Sequence, residues 1–419
     1  QPDSPRTASL WAALAERPDT APRLEAVRRA AQNAPFAVHD LAALAGLLGP
    51  GLRLSPSRVE RYYTCRFAYF LEYVLGLRPR RAAELSPNIS GSLVHWVLEQ
   101  ALRRTGEGFV SLAPGALAAL AAQLADEYVA QNLPGGGERF GYLITRLKKS
   151  VASLLGYLQA EQRQGGFAPA AFELPIGSGP DSVPPLTLCS PDGRQVQVVG
   201  KIDRVDVCRR EGKSYLRVLD YKTGDKQFSL EDVYCGLDCQ MLLYLFALVR
   251  QGGGMFENPA AAGVLYLMAD PPPKTGTRAE AARETLYRLD GLVLDDPAIL
   301  RAMDRDATGL FVPFGFKKDG TPRAADKLAS LEKLGRIEAH INRLVAGMAA
   351  GLYAGKVDAA PLCKNGRAPC VYCDWRDVCR HEDGKNEAAP KAPPHPFEED
   401  QAAGPTGQQA KTDGKEARA

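Results

Sequence analysis

No apolar run in this 419-residue chain approaches the roughly twenty residues that a membrane-spanning helix needs. A helical membrane protein is therefore not expected. No secretory signal opens the chain, and it starts at Gln1 rather than methionine, as a piece of a longer polypeptide would. A Gly-x-x-x-x-Gly-Lys-Ser/Thr loop is also missing, which excludes ATP binding by that route. No internal repeat is visible, so solenoid and propeller architectures are not expected. Charge of one sign is scarce in excess. A net charge of +3 is too small to announce nucleic-acid binding by itself. The local basic clusters at Arg146, Lys148 and Lys149 and at Lys317 and Lys318 are compatible with phosphate contacts, but a solvated face is the more usual reading of each. What is present is ordinary for a soluble globular protein: 45% hydrophobic and 24% charged residues, with enough length for one large domain or two ordinary ones.

The most informative stretch runs from 195 to 244. Residues 195–207 are rich in β-branched side chains and 216–222 alternate, so both read as strands. The polar, glycine-containing segment Arg209–Lys213 reads as the hairpin loop between them. Side chains repeat with period two, so Asp220 and Lys222 leave one face of the second strand, and an antiparallel pairing brings Asp203 alongside. Two carboxylates and a lysine on one sheet face suit a specific chemistry. The carboxylates hold a hard divalent cation, and the lysine orients or activates a water for attack on a phosphodiester. A lone Asp-x-Lys is more often an exposed strand end. Here Val218 and Leu219 keep the chain apolar up to Asp220, and a helix-period stretch from Val233 to Arg250 follows, with Gln240 and Tyr244 one turn apart.

These residues, with Gly200-Lys-Ile-Asp203, resemble the PD-(D/E)XK nucleases of the RecB-like type. The resemblance implies an α/β fold of the restriction-endonuclease kind, with a mixed central sheet flanked by helices. Upstream, His95 and Glu99 lie one turn apart on a helix that carries Gly91 a turn earlier. The resemblance makes His95 a metal ligand, consistent with neutral imidazole chemistry. Glu99 reads as a supporting or surface partner. The mechanistic expectation is that Asp203, Asp220, His95 and the backbone carbonyl of Tyr221 hold Mg²⁺ or Mn²⁺. Lys222 then positions water, and Gln240 and Tyr244 orient substrate or support the ligands. Glu173, on a strand near 170–176, suits either the metal site or a solvated edge.

A second signal is Cys370-Val-Tyr-Cys373 followed by Cys379. Nine cysteines without a secretory signal argue for ligation rather than disulfides. Zinc more often takes paired Cys-x-x-Cys motifs or histidines, and a zinc knuckle is the alternative here. A 4Fe–4S cluster needs four thiolates. Proximity offers Cys363 as the fourth. Cys65, beside the aromatic helical run Tyr62–Leu77, is the choice that the pattern of iron–sulfur nucleases favours. Cys189, Cys208, Cys235 and Cys239 read as small buried hydrophobes.

Leu54-Ser-Pro-Ser57 leading to Cys65, together with Gly200–Arg204, Gly236–Tyr244 and Ala368–Cys373, resembles the AddB-type nuclease domain over about residues 50–381. Arg66 departs from it, standing where a proline is expected. The resemblance implies a bacterial, cytoplasmic component of a helicase–nuclease, partnered by the AddA helicase. It further implies a DNA exonuclease that cuts the 5′-ended strand at double-strand breaks for recombination. Two other readings stay open: a stand-alone iron–sulfur exonuclease of the CRISPR-adaptation type, and a DNA-binding module with a decayed site. The chain length counts against the former and the intact Asp203, Asp220 and Lys222 against the latter. The expected organisation is a helical lead-in over 1–50, the nuclease domain with its cluster joining the two ends over 51–381, and a disordered tail over 382–419. Ser57-x-x-Glu60 near Pro56 reads as a capping box opening a helix.

Overall fold

A computed structural model describes residues 5–31, 36–79, 88–133, 138–222, 227–268, 287, 289–323 and 325–379, and within 381–398 all but 383, 385, 390, 391 and 394. Three helices lead in: α1 (Pro5–Ala15), α2 (Ala21–Ala31) and α3 (Leu41–Leu48). β1 (Leu52–Leu54) and α4 (Pro56–Thr64) follow, then a short helix α5 (Arg66–Tyr69) that widens into a π-turn over Phe70–Val74. α6 (Asn88–Thr105), α7 (Pro114–Asn132) and α8 (Glu138–Gln164) make a helical layer. The strands β2 (Ala168–Ile176), β3 (Leu186–Cys189), β4 (Gln195–Val198), β5 (Gly200–Arg210) and β6 (Lys213–Lys222) come next. α9 (Leu230–Tyr234), α10 (Gln240–Gln251), β7 (Pro259–Met268), β8 (Leu289–Leu294) and α11 (Pro297–Met303) continue the chain. β9 (Leu328–Ala329), α12 (Leu331–Tyr353) and α13 (Arg376–Cys379) complete it.

The main sheet has the order β2-β5-β6-β7-β8-β9, and a smaller sheet has the order β1-β4-β3. β5 and β6 are antiparallel, with Arg204 opposite Leu219, while β6 and β7 run parallel, with Asp220 opposite Tyr266. This is the mixed α/β sheet that the sequence predicts. The β5–β6 turn is as tight as a hairpin allows. Glu211 and Gly212 both take positive φ, the conformation that matches the twist of the flanking strands. β7 is buried almost throughout, as expected of a strand with neighbours on both edges and helices on its faces.

Two differences from sequence expectation matter for the site. The helical stretch expected over Val233–Arg250 is two helices. Gly236 takes φ +86°, and a Cβ there would run into the ring of Tyr63, so the chain breaks and restarts at Gln240. The Ser57–Glu60 capping box does not form either. Ser55 is the N-cap of α4 and makes no side-chain cap bond, and Glu60 is engaged elsewhere. Beyond residue 382, Ala388 bridges to Leu362, Phe397 packs edge-on to His340, and Glu398 pairs with Lys333. Among the described residues no helix is long and apolar enough to cross a membrane.

Candidate active site

The two faces of the β5–β6 hairpin carry charge of different kinds. On one face Arg204 and Arg217 are fully buried with Asp206, and Arg217 also pairs with Glu161 of α8. Arg204 Nε donates to Asp206 Oδ1 at 2.6 Å, and Arg217 Nη2 to Asp206 Oδ2 at 2.7 Å. Burial opposes the charge of Asp206, yet the two guanidiniums hold its carboxyl below the usual range. Charges this deep must be paired, because an unpaired one is costly.

The other face gathers the predicted residues. Asp220 Oδ2 lies 2.7 Å from Lys222 Nζ. His95 reaches in from α6. Its Nε2 is 2.8 Å from the Tyr221 carbonyl oxygen, and its Nδ1 is 3.3 Å from Asp203 Oδ2. The ring stands edge-on to Tyr221, centroids 5.4 Å apart. The Tyr221 amide donates to Asp203 Oδ2 at 3.4 Å. Asp203 is pushed up to about 6, by burial first and by the neighbouring charge of Asp220 second.

Glu173, which the sequence left open, belongs to this cluster. It takes φ +50° in β2, between the pairs Phe172–Arg204 and Leu174–Ile202, and so falls opposite Asp203. One ligand atom each from His95, Glu173 and Asp203 all lie within 4.8 Å of one another. Glu173 also pairs with Lys201. Oxygen ligands with one imidazole suit a hard divalent cation. The fit is also electrostatic. A neutral imidazole donates from one nitrogen only, so it cannot satisfy both the Asp203 carboxylate and the Tyr221 carbonyl. Crowded carboxylates resist ionising together, and a cation relieves that resistance.

α10 supplies the remaining pair. Gln240 Nε2 donates to Asp220 Oδ1 at 3.4 Å. One turn on, the Tyr244 hydroxyl lies against Gly200, where a Cβ would collide with it. The Lys201 backbone amide bonds to the same hydroxyl, and burial pushes Tyr244 up to about 12. His95, Asp203, Asp220, Tyr221, Lys222, Gln240 and Tyr244 therefore all converge. Glu99 pairs with Arg103 at 2.8 Å. The pKa of Lys201 is raised first by its partner Glu173, and Glu99 lies close enough to add to the effect.

Of the cysteines expected to be small buried hydrophobes, Cys208 and Cys239 are buried, while Cys235 is half-buried and Cys189 is exposed at the end of β3. Four others assemble at a separate place. Cys65, Cys370, Cys373 and Cys379 line one pocket, with Phe67, Trp375 and Pro369 as apolar wall and Arg61 and Arg376 at its edge. Burial pushes the Cys65 thiol up, and Cys373 is close enough to add to the effect. Cys363 lies in another groove, beside Lys364 and Glu387. His381 lines the same pocket, and the Arg61 guanidinium is paired with Glu72. Four thiols sharing one mostly apolar pocket suit a thiolate-bound metal centre. The two ends are also joined by protein contacts alone: Leu362 N donates to Thr64 O at 2.9 Å and Arg66 Nη1 to Asp358 Oδ1 at 2.9 Å.

Comparison with known proteins agrees with this geometry. Residues 53–380 match the family described as the PD-(D/E)XK nuclease superfamily. The chain is 37% identical over 349 residues to an ATP-dependent helicase/deoxyribonuclease subunit from Desulforudis audaxviator, covering 80% of this chain and 30% of that protein. It is 31% identical over 359 residues to the same-named protein of Clostridium acetobutylicum, covering 81% of this chain and 31% of the relative. For the same-named protein of Moorella thermoacetica the identity is 32% over 349 residues, 80% and 30% of the two chains. The chain thus spans under a third of the length of the curated relatives it matches. With the mixed sheet, the paired aspartates and the lysine two residues beyond the second of them, the chain belongs to the PD-(D/E)XK nuclease superfamily and is a metal-dependent nuclease.

Proposed function

We propose that this chain is the DNA-cleaving domain of a helicase–nuclease. The observation that carries the reading is the convergence of His95, Asp203, Asp220 and the Tyr221 carbonyl beside Lys222. These four groups, with Glu173 adjacent, are the residues that would hold Mg²⁺ or Mn²⁺. A bound divalent cation supplies Lewis-acid polarisation of the phosphate and a lowered pKa for water. The chain's own groups do the rest. Asp220 keeps the Lys222 ammonium in place at 2.7 Å, so the lysine is poised to orient the attacking water. Gln240 fixes the other oxygen of Asp220 at 3.4 Å, and Tyr244 holds the start of β5 through Lys201.

The cysteine pocket is read as a 4Fe–4S site held by Cys65, Cys370, Cys373 and Cys379, with a structural role apart from the phosphodiester chemistry. Support comes from the four thiols sharing one pocket while Cys363 lines another. Closing a loop of about 300 residues removes much unfolded-chain entropy, so binding there contributes to folding. Such a cluster belongs in a reducing compartment, in keeping with a bacterial cytoplasmic protein. The relatives' names carry the words helicase and deoxyribonuclease. On that footing the substrate is DNA and the partner a helicase subunit. The resemblance to AddB-type nucleases supplies the finer reading, an AddA-type partner and cleavage of the 5′-ended strand of DNA unwound from a duplex end, in double-strand break processing. Digestion of duplex and single-stranded oligonucleotides labelled at either end, with the helicase partner present and its own nuclease disabled, tests the reading. Metal-dependent products from the 5′-ended strand support it; products from the other strand alone contradict the polarity.

A further inference from the structure

Helix α10 begins in an unusual way. Its first four amides need acceptors that the helix cannot supply, and it has no acidic residue in its first turn and no side-chain cap from Cys239. The Cys239 thiol is turned away, toward the carbonyls of Val233 and Leu237. The Gln240 amide is met instead by Glu60 Oε1 of α4, at 3.3 Å across a sequence separation of 180. A carboxylate at a helix N-terminus is also favoured by the helix dipole. This is the same Glu60 that local sequence assigns to a capping box on its own helix. The fold uses it on another.

The consequences run in two directions. Gln240 and Tyr244 both act from this end of α10, one on Asp220 and one on Gly200 and Lys201. A small shift of the helix start moves both contacts together. In the other direction α4 ends at Cys65, whose amide bonds to Arg61 O at 3.0 Å, and both residues line the cysteine pocket. Thr64 Oγ1, between them, donates to the Glu60 carbonyl at 2.8 Å. One turn of helix therefore separates the cysteine pocket from the acceptor that seats the Gln240 helix.

We propose that Glu60 is a positioning residue for the nuclease site: it anchors the Gln240 end of α10 and couples the seating of the cysteine pocket to the alignment of Gln240 and Tyr244. The proposal rests on the reading of Asp220 and Gln240 as part of the catalytic site.

Glu60→Met keeps side-chain length and removes the acceptor, whereas Glu60→Gln keeps an acceptor without the charge. For Glu60→Met the expected result is a kcat for DNA cleavage lowered about tenfold to a hundredfold, the size of effect that slight misplacement of catalytic groups produces. KM for DNA and iron content stay unchanged, and hydrogen exchange in the peptide covering 239–244 becomes faster. Glu60→Gln recovers kcat to within a few-fold. Wild-type kcat in Glu60→Met, or a loss that Glu60→Gln does not restore, overturns the proposal. If Glu60→Met loses cooperative unfolding, Glu60→Ala is held to the same criteria. Asp220→Ala runs alongside as the control. Cleavage that survives it overturns the catalytic reading itself, whereas an inactive Asp220→Ala beside a fully active Glu60→Met overturns only the role of Glu60.

Discussion

At Asp203 burial and like charge act in the same direction. Its carboxyl moves from 3.8 to about 6, so the folded state binds a proton more tightly than the unfolded chain does. The stabilisation this brings is fully present below about pH 4 and is lost as pH rises through about 6. Without metal, then, wild type should lose stability relative to Asp203→Asn as pH is raised from 4 to 7, read as the difference between their melting temperatures. A difference that stays flat across that range contradicts the assignment. Divalent cations need the ionised carboxylate, so Mg²⁺ should raise the melting temperature more at pH 8 than at pH 5. Asp203, Asp220 and Lys222 were legible from strand period and local apolarity, whereas His95 and the Tyr221 carbonyl were reached through the family resemblance. Glu173 was left open, since its position opposite Asp203 follows from the β2–β5 register, a long-range pairing that no local strand pattern announces.

Among elements, the contact of β5 with α10 is the one that sets the site. Gly200 is required because the Tyr244 hydroxyl fills the space a Cβ would take. Gly200→Ala should destabilise the domain by about 1–3 kcal/mol, the usual cost of overpacking, measured by denaturant unfolding. Adding Tyr244→Phe removes the hydroxyl and should return part of that loss. Strict additivity of the two changes would show that they do not meet. The hairpin of β5 and β6 was readable from alternation and turn residues alone. The break between α9 and α10 was not. It falls at Gly236, whose positive φ and close approach to Tyr63, some 170 residues earlier, leave no room for a side chain, and helical periodicity runs through Val233–Arg250 without marking it. The capping box at Ser57 failed for a related reason: local propensity offered Glu60 a partner, and tertiary packing supplied a different one in Gln240.

For the molecule as a whole, the segments around Cys65 and Cys370–Cys379 meet at the cysteine pocket while the chain between them builds the acidic site. Cys65→Ala, Cys370→Ala, Cys373→Ala or Cys379→Ala should each bleach the visible absorption of anaerobically purified protein and lower its melting temperature. Cys363→Ala should do neither. Stoichiometric zinc without iron would replace the cluster with a zinc site. The order of the motifs was visible in the sequence because each motif is local, whereas the mixed α/β sheet came with the family that those motifs resemble. The pairing of Cys65 with a triplet about 300 residues away was reached through family resemblance, since spacing alone favours Cys363. The central claim, that Asp203, Asp220 and Lys222 form a metal-dependent phosphodiesterase centre, has one direct test. Cleavage of end-labelled DNA in Mg²⁺ is compared between wild type and Asp220→Ala, with DNA affinity, iron content and melting temperature measured on the same preparations. The account predicts cleavage lost by about a thousandfold or more, on the scale of removing a group central to metal catalysis, with affinity and fold retained. Wild-type cleavage by a folded Asp220→Ala protein would contradict it.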